Sequence, residues 1–475
     1  MEVMVISWLK NGVFALAVAG LYSVILVVLR TPGFGQIFSD PMIFRTALVI
    51  HVNLSVLVWL LAITTVVWNI SKIKSGFESA YAKVGFIGML LMAISPLFPG
   101  SEPVMNNYVP MLENLVFIIG LSLFGVVILV FAAQTVVTSF IKRDPFSYGD
   151  RILAITECTS ALLFIGVWVC FILSYFGIDF LANIVPLEID YYYEMLFWSG
   201  GHLLQFIYTQ VMMFALLALA ETWKGGRVNY ANVYEMLLAL NFVMALFIFI
   251  GHFYYDVSDG VFKEFFTLHM IYTGGLAPTI FILVLLFELL KNRARNIPLF
   301  VPAAFLASSL LFLSGGLIGA IISGVNVTIP AHYHGSIVGI SVAFMGFAYL
   351  ICFKAEIKKT LSYSNGVIGI IYNALEGWKG GIPSKSAAWQ IYVITFGQLL
   401  HVAGLALAGG YGVLRKTPGT DMPFSAKIYM GMVGGGGLIA IIGGLMFVYI
   451  CARNLYQTPG LTVQKNFITD SDAHL

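Results

Sequence analysis

Apolar residues run along this chain in long blocks separated by short polar breaks. About 20 apolar residues are what a helix needs to cross a bilayer. Twelve such blocks fall at about 8–30, 42–68, 82–99, 111–134, 151–177, 193–220, 232–254, 262–290, 298–322, 331–354, 387–412 and 426–451. The pattern predicts an all-α polytopic membrane protein with twelve transmembrane helices in a single membrane domain over 1–475. Most connections are short. The exception is about 355–386, whose Lys, Ser and Gly content predicts an inner-face loop with an amphipathic piece. Residues 452–475 read as a polar C-terminal tail. The first apolar run, preceded by Lys10, reads as a span and not as a cleaved leader.

Composition supports this reading. The 475 residues are 59% hydrophobic and 10% charged, with a mean hydropathy of +0.91. Soluble domains carry about 25% charged residues. A net charge of +2 gives no ground for expecting a nucleic-acid partner. The four cysteines (Cys158, Cys170, Cys352, Cys451) lie in or beside apolar blocks and form no CxxC pair, so neither a covalent haem site nor a thiolate metal cluster is expected.

Lys and Arg favour the cytoplasmic side of short loops. With the N-terminus inside, the inner loops carry Lys72, Lys74, Lys83, Lys142, Arg143, Arg151, Lys224, Arg227, Lys291, Arg293, Arg295, Lys354, Lys358 and Lys359. The outer connections hold Glu102, Glu113, Asp179, Glu188 and Asp190. The loop after span 11 breaks the rule with Arg415 and Lys416, so these cations call for a local anionic partner or are solvated.

Polar chemistry in the spans is mainly histidine. Of eight histidines only His474 lies in the polar tail. His51, His202, His252, His269, His332, His334 and His401 all fall in the outer half, most within ~15 Å of the outer face at the helical rise. A single such histidine is more often a core residue bonded to a neighbouring helix. Six spans contributing imidazole at one depth point to redox-metal or haem ligation, because imidazole suits iron, copper and zinc. His332 and His334 stand two residues apart, roughly 200° around a helix. They cannot comfortably share one metal, but can serve two cofactors on opposite sides of one helix.

The Ala331-His332-Tyr333-His334 stretch on span 10, His51 on span 2, Gly201-His202 on span 6, Gly251-His252 on span 7 and Arg415-Lys416 after span 11 together resemble subunit I of the haem–copper oxidase superfamily, across all twelve spans. The resemblance implies that superfamily's helical bundle, two haems (one low-spin, one high-spin) and one non-haem metal, copper or possibly iron. His51 and His334 would be the axial ligands of the low-spin haem, and His332 the proximal ligand of the high-spin haem. His202 and His252 would bind the non-haem metal. Arg415 and Lys416 would pair with haem propionates. His401 would stand beside the high-spin haem without ligating it.

Departures from the family decide the expected reaction. Oxygen reducers usually carry adjacent histidines on span 7, and here His252 is followed by Phe253. The third metal ligand is then missing or comes from His269, Gln205 or Asp256. Oxygen reducers of the commonest type also carry a tyrosine four residues after the span 6 histidine, where this chain has Phe206. Tyr208 lies about 240° further round the helix than His202. Tyr254 and Tyr255 are alternative phenols, though interfacial aromatics are expected there anyway. O–O cleavage needs four electrons and commonly draws one from a phenol. Coupling two NO molecules needs only two. The Gly200–Phe206 stretch is similar to oxidase-like nitric oxide reductases, and lacks the glutamate of iron-containing ones.

The resemblance therefore implies a respiratory oxidoreductase catalytic subunit, with reduction of NO to N2O favoured and an O2-reducing terminal oxidase as the alternative. A single proton path along spans 6 and 8 is expected from Thr209, Thr267, Thr273 and Thr279, with Glu157 on span 5 also available, although threonines in membrane helices commonly bond back to their own turn. Electrons must come from a partner subunit with an outer-face copper or haem domain. A bacterial inner membrane with a cytoplasmic N-terminus is expected. A twelve-span transporter, whose polar groups cluster at the midplane, and a haem-bearing gas sensor are the other classes considered.

Overall fold

A computed structural model describes residues 2–30, 40–70, 78–139, 147–322, 324–360, 366–381, 385–413 and 423–456. Twelve helices are long and apolar enough to cross a membrane: span 1 (Glu2–Leu29), span 2 (Met42–Trp68), span 3 (Ala80–Leu97), span 4 (Leu115–Ser139), span 5 (Tyr148–Ala182), span 6 (Ile189–Lys224), span 7 (Ala231–Tyr254), span 8 (Gly260–Lys291), span 9 (Phe300–Ala320), span 10 (Thr328–Cys352), span 11 (Lys385–Gly410) and span 12 (Phe424–Leu455). The chain is an all-α polytopic membrane protein.

Consecutive spans pack as hairpins, 3 on 4, 5 on 6, 9 on 10 and 11 on 12, and span 1 packs against spans 12 and 2. Spans 6, 10 and 2 are the most enclosed. Hydrogen bonds tie them to their neighbours. Trp59 Nε1 donates to Ser341 Oγ at 2.7 Å, Trp68 Nε1 to Ser160 Oγ at 2.9 Å, and Tyr349 Oη to Gln390 Oε1 at 3.0 Å. Such bonds between membrane helices contribute about 0.6–2 kcal/mol each. The spans that carry His51, His202, His332 and His334 are thus the central ones.

Span 4 begins at Leu115, four residues later than the apolar block. Met111–Leu112 (β2) instead pairs antiparallel with Pro103–Val104 (β1), Pro103 opposite Leu112. Asn114 then caps the helix, its Oδ1 accepting from Phe117 N at 2.8 Å. The segment expected as the inner-face loop holds two short helices, Lys354–Thr360 and the amphipathic Val367–Ala374. The buried Glu221 of span 6 accepts from Ile368 N at 3.4 Å, placing a carboxylate at the positive end of that second helix. At the same end of the bundle, buried Glu288 accepts from Lys224 Nζ at 2.6 Å, from Tyr234 Oη at 3.0 Å and from Asn229 N. Of the expected tail, the described part ends at Tyr456, and His474 lies outside the described residues.

Candidate haem and metal sites

A histidine that ligates a metal through one ring nitrogen almost always donates from the other, usually to a carbonyl or carboxylate. His51 meets this requirement. Its Nδ1 lies 3.1 Å from the Ala19 carbonyl of span 1, so Nδ1 carries the proton and Nε2 the lone pair. The helix passes straight into a π-helical segment, Asn53–Val58. Ser55 Oγ bonds back to His51 O at 2.6 Å, and Asn53 Nδ2 reaches Val49 O at 2.9 Å and Pro110 O at 2.7 Å. Single π-turns inside α-helices occur frequently at functional sites.

His332 and His334 leave span 10 towards different neighbours. His332 Nδ1 donates to Gly315 O of span 9 at 2.8 Å. Spans 9 and 10 approach closely enough that a Cβ on Gly315 would sit 2.8 Å from His332 O. His334 turns to span 11 and meets the His401 ring edge-on, with centroids 4.7 Å apart and planes at 71°. His401 Nδ1 donates to Val433 O of span 12 at 2.8 Å. The two imidazoles of span 10 thus meet different neighbours, spans 9 and 11, which also pack against each other. His401, expected beside the high-spin haem, adjoins His334, the candidate low-spin ligand.

His202, His252 and His269 belong to one cluster of aromatic rings between spans 6, 7 and 8. Phe266 stands between the first two, 5.4 Å from the His202 centroid and 6.1 Å from that of His252. His269 stacks against Phe265 at 6.2 Å and lies 5.4 Å from Phe206. A second π-helical segment, Met270–Gly274, follows His269 directly, and Thr273 Oγ1 bonds back to His269 O at 2.6 Å. This repeats the arrangement at His51.

His202 is fully engaged. Its Nδ1 donates to Trp198 O at 2.8 Å. Its Nε2 accepts the phenol of Tyr108 at 2.9 Å. Tyr108 comes from the β1–β2 hairpin, and Gly201 makes room for it, because a Cβ there would fall on the tyrosine ring. Tyr108 is not among the residues that the sequence pattern singles out. Its signal is the Asn106-Asn107 pair before it, which builds the turn: Asn106 Oδ1 accepts from Tyr108 N at 3.0 Å and Val109 N at 2.8 Å.

The chemistry of these groups bears differently on the two kinds of cofactor the resemblance implies. His51 and His332 have the tautomer a haem ligand needs. In the aromatic cluster, His252 Nε2 and His269 Nδ1 are buried without a hydrogen-bond partner. Orphaned buried nitrogens are costly. Among the described residues no three His, Cys, Asp or Glu side chains are gathered closely enough to hold one ion.

The remaining candidates stand apart from the cluster or outside the description. Asp256 is exposed, as are Phe253 (84%) and Tyr254 (77%). Tyr255 packs on Phe265 at 5.8 Å, and Gln205 is half-buried. Arg415 and Lys416 lie outside the described residues. Thr209 joins a buried chain linking spans 5, 6 and 7, through Asn241 (3.4 Å) and Gln210 (2.8 Å from Asn241) to Thr159 (2.8 Å). Thr267 and Thr273 of span 8 bond back to their own turn.

No protein-family model matches the chain. It is 27% identical to an uncharacterized protein of Aquifex aeolicus (strain VF5), over 72% of this chain and 83% of that protein. It is 40% identical to the uncharacterized protein RP382 of Rickettsia prowazekii (strain Madrid E), over 96% of this chain and 97% of that protein. With that identity along nearly the whole of both chains, the protein belongs to the family of the Rickettsia prowazekii protein.

Proposed function

We propose that this chain is the catalytic subunit of a membrane respiratory oxidoreductase of the haem–copper type. In this reading His51 and His334 hold a low-spin haem, and His332 holds a high-spin haem. His202 and His252, with His269 as the third imidazole, hold a non-haem metal, copper or iron. The favoured reaction is 2 NO + 2 e⁻ + 2 H⁺ → N2O + H2O. The bound metals would supply the two electrons. The observation that carries the reading is the pair of imidazoles on span 10 that turn to different helices, His332 to Gly315 O in a ligand tautomer and His334 to His401.

The protein's own groups do the rest. The carbonyls of Ala19 and Gly315 orient the two imidazoles and raise their basicity as ligands. Phe206, Phe262, Phe265 and Phe266 pack against the rings of His202, His252 and His269 and make their surroundings apolar. Phe206 in place of a tyrosine favours the two-electron chemistry of NO. Arg415 and Lys416 are assigned to haem propionates. The electron donor is a partner subunit with a copper or haem domain at the outer face of a bacterial inner membrane, and the N-terminus is cytoplasmic.

One observation favours the O2-reducing alternative. Tyr108 brings a phenol to 2.9 Å from His202, supplying from a loop the group that span 6 lacks. The test is gas consumption by the purified complex with an artificial reductant, first with an NO electrode and then with an O2 electrode. A Soret band and fast NO loss with slow O2 uptake are expected. Fast O2 uptake that Tyr108→Phe abolishes would select the oxidase reading. Absence of any Soret band would overturn both.

A further inference from the structure

Spans 11 and 12 run antiparallel in close register. A Cβ on Gly404 would meet Val433, one on Gly397 would meet Ala440, and one on Gly443 would meet Ile394. Each step along span 11 is matched by an equal step back along span 12. Lys385 stands nine residues before Ile394, and Ala452 nine after Gly443, so the first residue of span 11 comes level with Ala452 and Arg453 near the end of span 12. The two ends have not splayed apart there. Gly381, just before span 11, lies directly against Asn454, whose Oδ1 a Cβ would overlap.

Two further cations are brought to this corner. Lys379 lies in a stretch fixed on both sides: Trp378 Nε1 donates to Ile351 O at 3.1 Å and Gly381 N to Cys352 O at 2.7 Å, the last two carbonyls of span 10. Lys10 of span 1 reaches span 12 and sets its Nζ 4.4 Å from the centroid of the Tyr456 ring. Lys379, Lys385 and Arg453 are exposed, and Lys10 is half-buried. Among the described residues no carboxylate forms an ion pair with any of the four. The carboxylates of this corner, Glu2 against Gly377 and Glu376 beside it, lie within electrostatic reach of the buried Lys354. The corner keeps a net positive charge.

Exposed aromatics stand one turn deeper on the same two spans, Trp389 (63%) four residues after Lys385 and Tyr449 (65%) four before Arg453. Amphipathic rings at this level mark the membrane–water boundary, and cations just outside it meet the phosphates of the bilayer. We infer that this corner, built by Lys10, Lys379, Lys385 and Arg453, is a binding site for an anionic phospholipid. Charge complementarity selects the headgroup: four cations without a paired carboxylate favour a lipid that carries a phosphate and no amine. Its acyl chains run into the bilayer at the level of Trp389 and Tyr449. The site is independent of the haem and metal assignments.

The test is native mass spectrometry of the full chain, purified in detergent, freed of bound lipid and titrated with phosphatidylglycerol or phosphatidylcholine. Each cation at a membrane surface contributes about 5-fold to anionic-lipid affinity. The double variant Lys385→Gln, Arg453→Gln is expected to weaken phosphatidylglycerol binding about 25-fold and to leave phosphatidylcholine binding unchanged. Arg293→Gln with Arg295→Gln removes the same charge from the connection after span 8, at the same end of the bundle. That pair is expected to leave both lipids unaffected.

Equal weakening by the two double variants would show a diffuse surface charge and overturn the site. Equal affinity of the wild type for the two lipids would do the same, and would leave the corner to an acidic protein segment. Displacement of bound phosphatidylglycerol by millimolar inorganic phosphate would mark a site for a free ion and overturn the lipid. Should the first double variant not survive purification, Lys385→Gln and Arg453→Gln carry the test singly, each with an expected loss of about 5-fold. Unchanged affinity in both would sink the site.

Discussion

His332 hangs from the carbonyl of Gly315, 2.8 Å from its Nδ1, across the contact between spans 9 and 10. One turn further along span 9, Gly319 faces the same ring. A Cβ there would sit 2.5 Å from His332 Nδ1. The imidazole is thus seated in a notch made by two glycines four residues apart. Gly319→Val should push it off its acceptor. The expected result is loss of the CO-reactive high-spin haem with the low-spin haem kept, read from reduced and reduced-plus-CO difference spectra. A variant with an unchanged CO spectrum would show that His332 is not the proximal ligand.

His51 has the same tautomer, set by Ala19 O, and in the proposed function it holds the other haem. His51→Ala should remove the low-spin signal and leave the CO-binding haem in place. Electron paramagnetic resonance of the oxidised protein separates the two species. Retention of the six-coordinate low-spin signal would reassign His51 to a packing role.

The buried pair Lys224–Glu288 is a stability determinant. The side chains are 12% and 1% exposed and 2.6 Å apart. Lys224→Met leaves the Glu288 carboxylate buried with only the Tyr234 hydroxyl and the Asn229 amide. Removing one partner of a buried pair costs about 3–5 kcal/mol. The expected outcome is a clearly lower Tm in detergent, partly restored by adding Glu288→Leu, because replacing both charges is far less costly. Equal Tm values for wild type and Lys224→Met would show that the pair is solvated.

Lys354 follows span 10 and is buried, its Nζ donating to Leu375 O. Burial holds its pKa below the usual lysine value and Lys358 adds to this, against the opposing pull of Glu2 and Glu376. Between the folded pKa and the unfolded value of 10.5 the unfolded chain binds more protons than the folded one. Stability attributable to Lys354 therefore rises with pH in that window, and its cost is fully present below the folded pKa. Lys354→Met should lose this rise. Tm measured from neutral pH to about 10.5, wild type minus variant, should climb with pH. A flat difference would mean that the ammonium stays hydrated.

Much of this protein is legible in one dimension. Twelve apolar blocks give twelve spanning helices, because a bilayer admits only backbone that satisfies its own hydrogen bonds. That His332 and His334 leave span 10 towards different neighbours follows from the helical angle alone. Other features belong to the tertiary structure. The π-turns after His51 and His269 are changes of helical register, which no apolar period announces. The pairing of His334 with His401 needs span 11 to lie against span 10. Tyr108 sits 94 residues from His202, in a connection whose composition reads as an ordinary loop. Only the hairpin, anchored on Asn53 and Glu194 and admitted by Gly201, brings its phenol to the imidazole. Sequence determines what each segment is, because the solvent of a segment acts locally. Which side chain answers a buried nitrogen is decided by distances between helices.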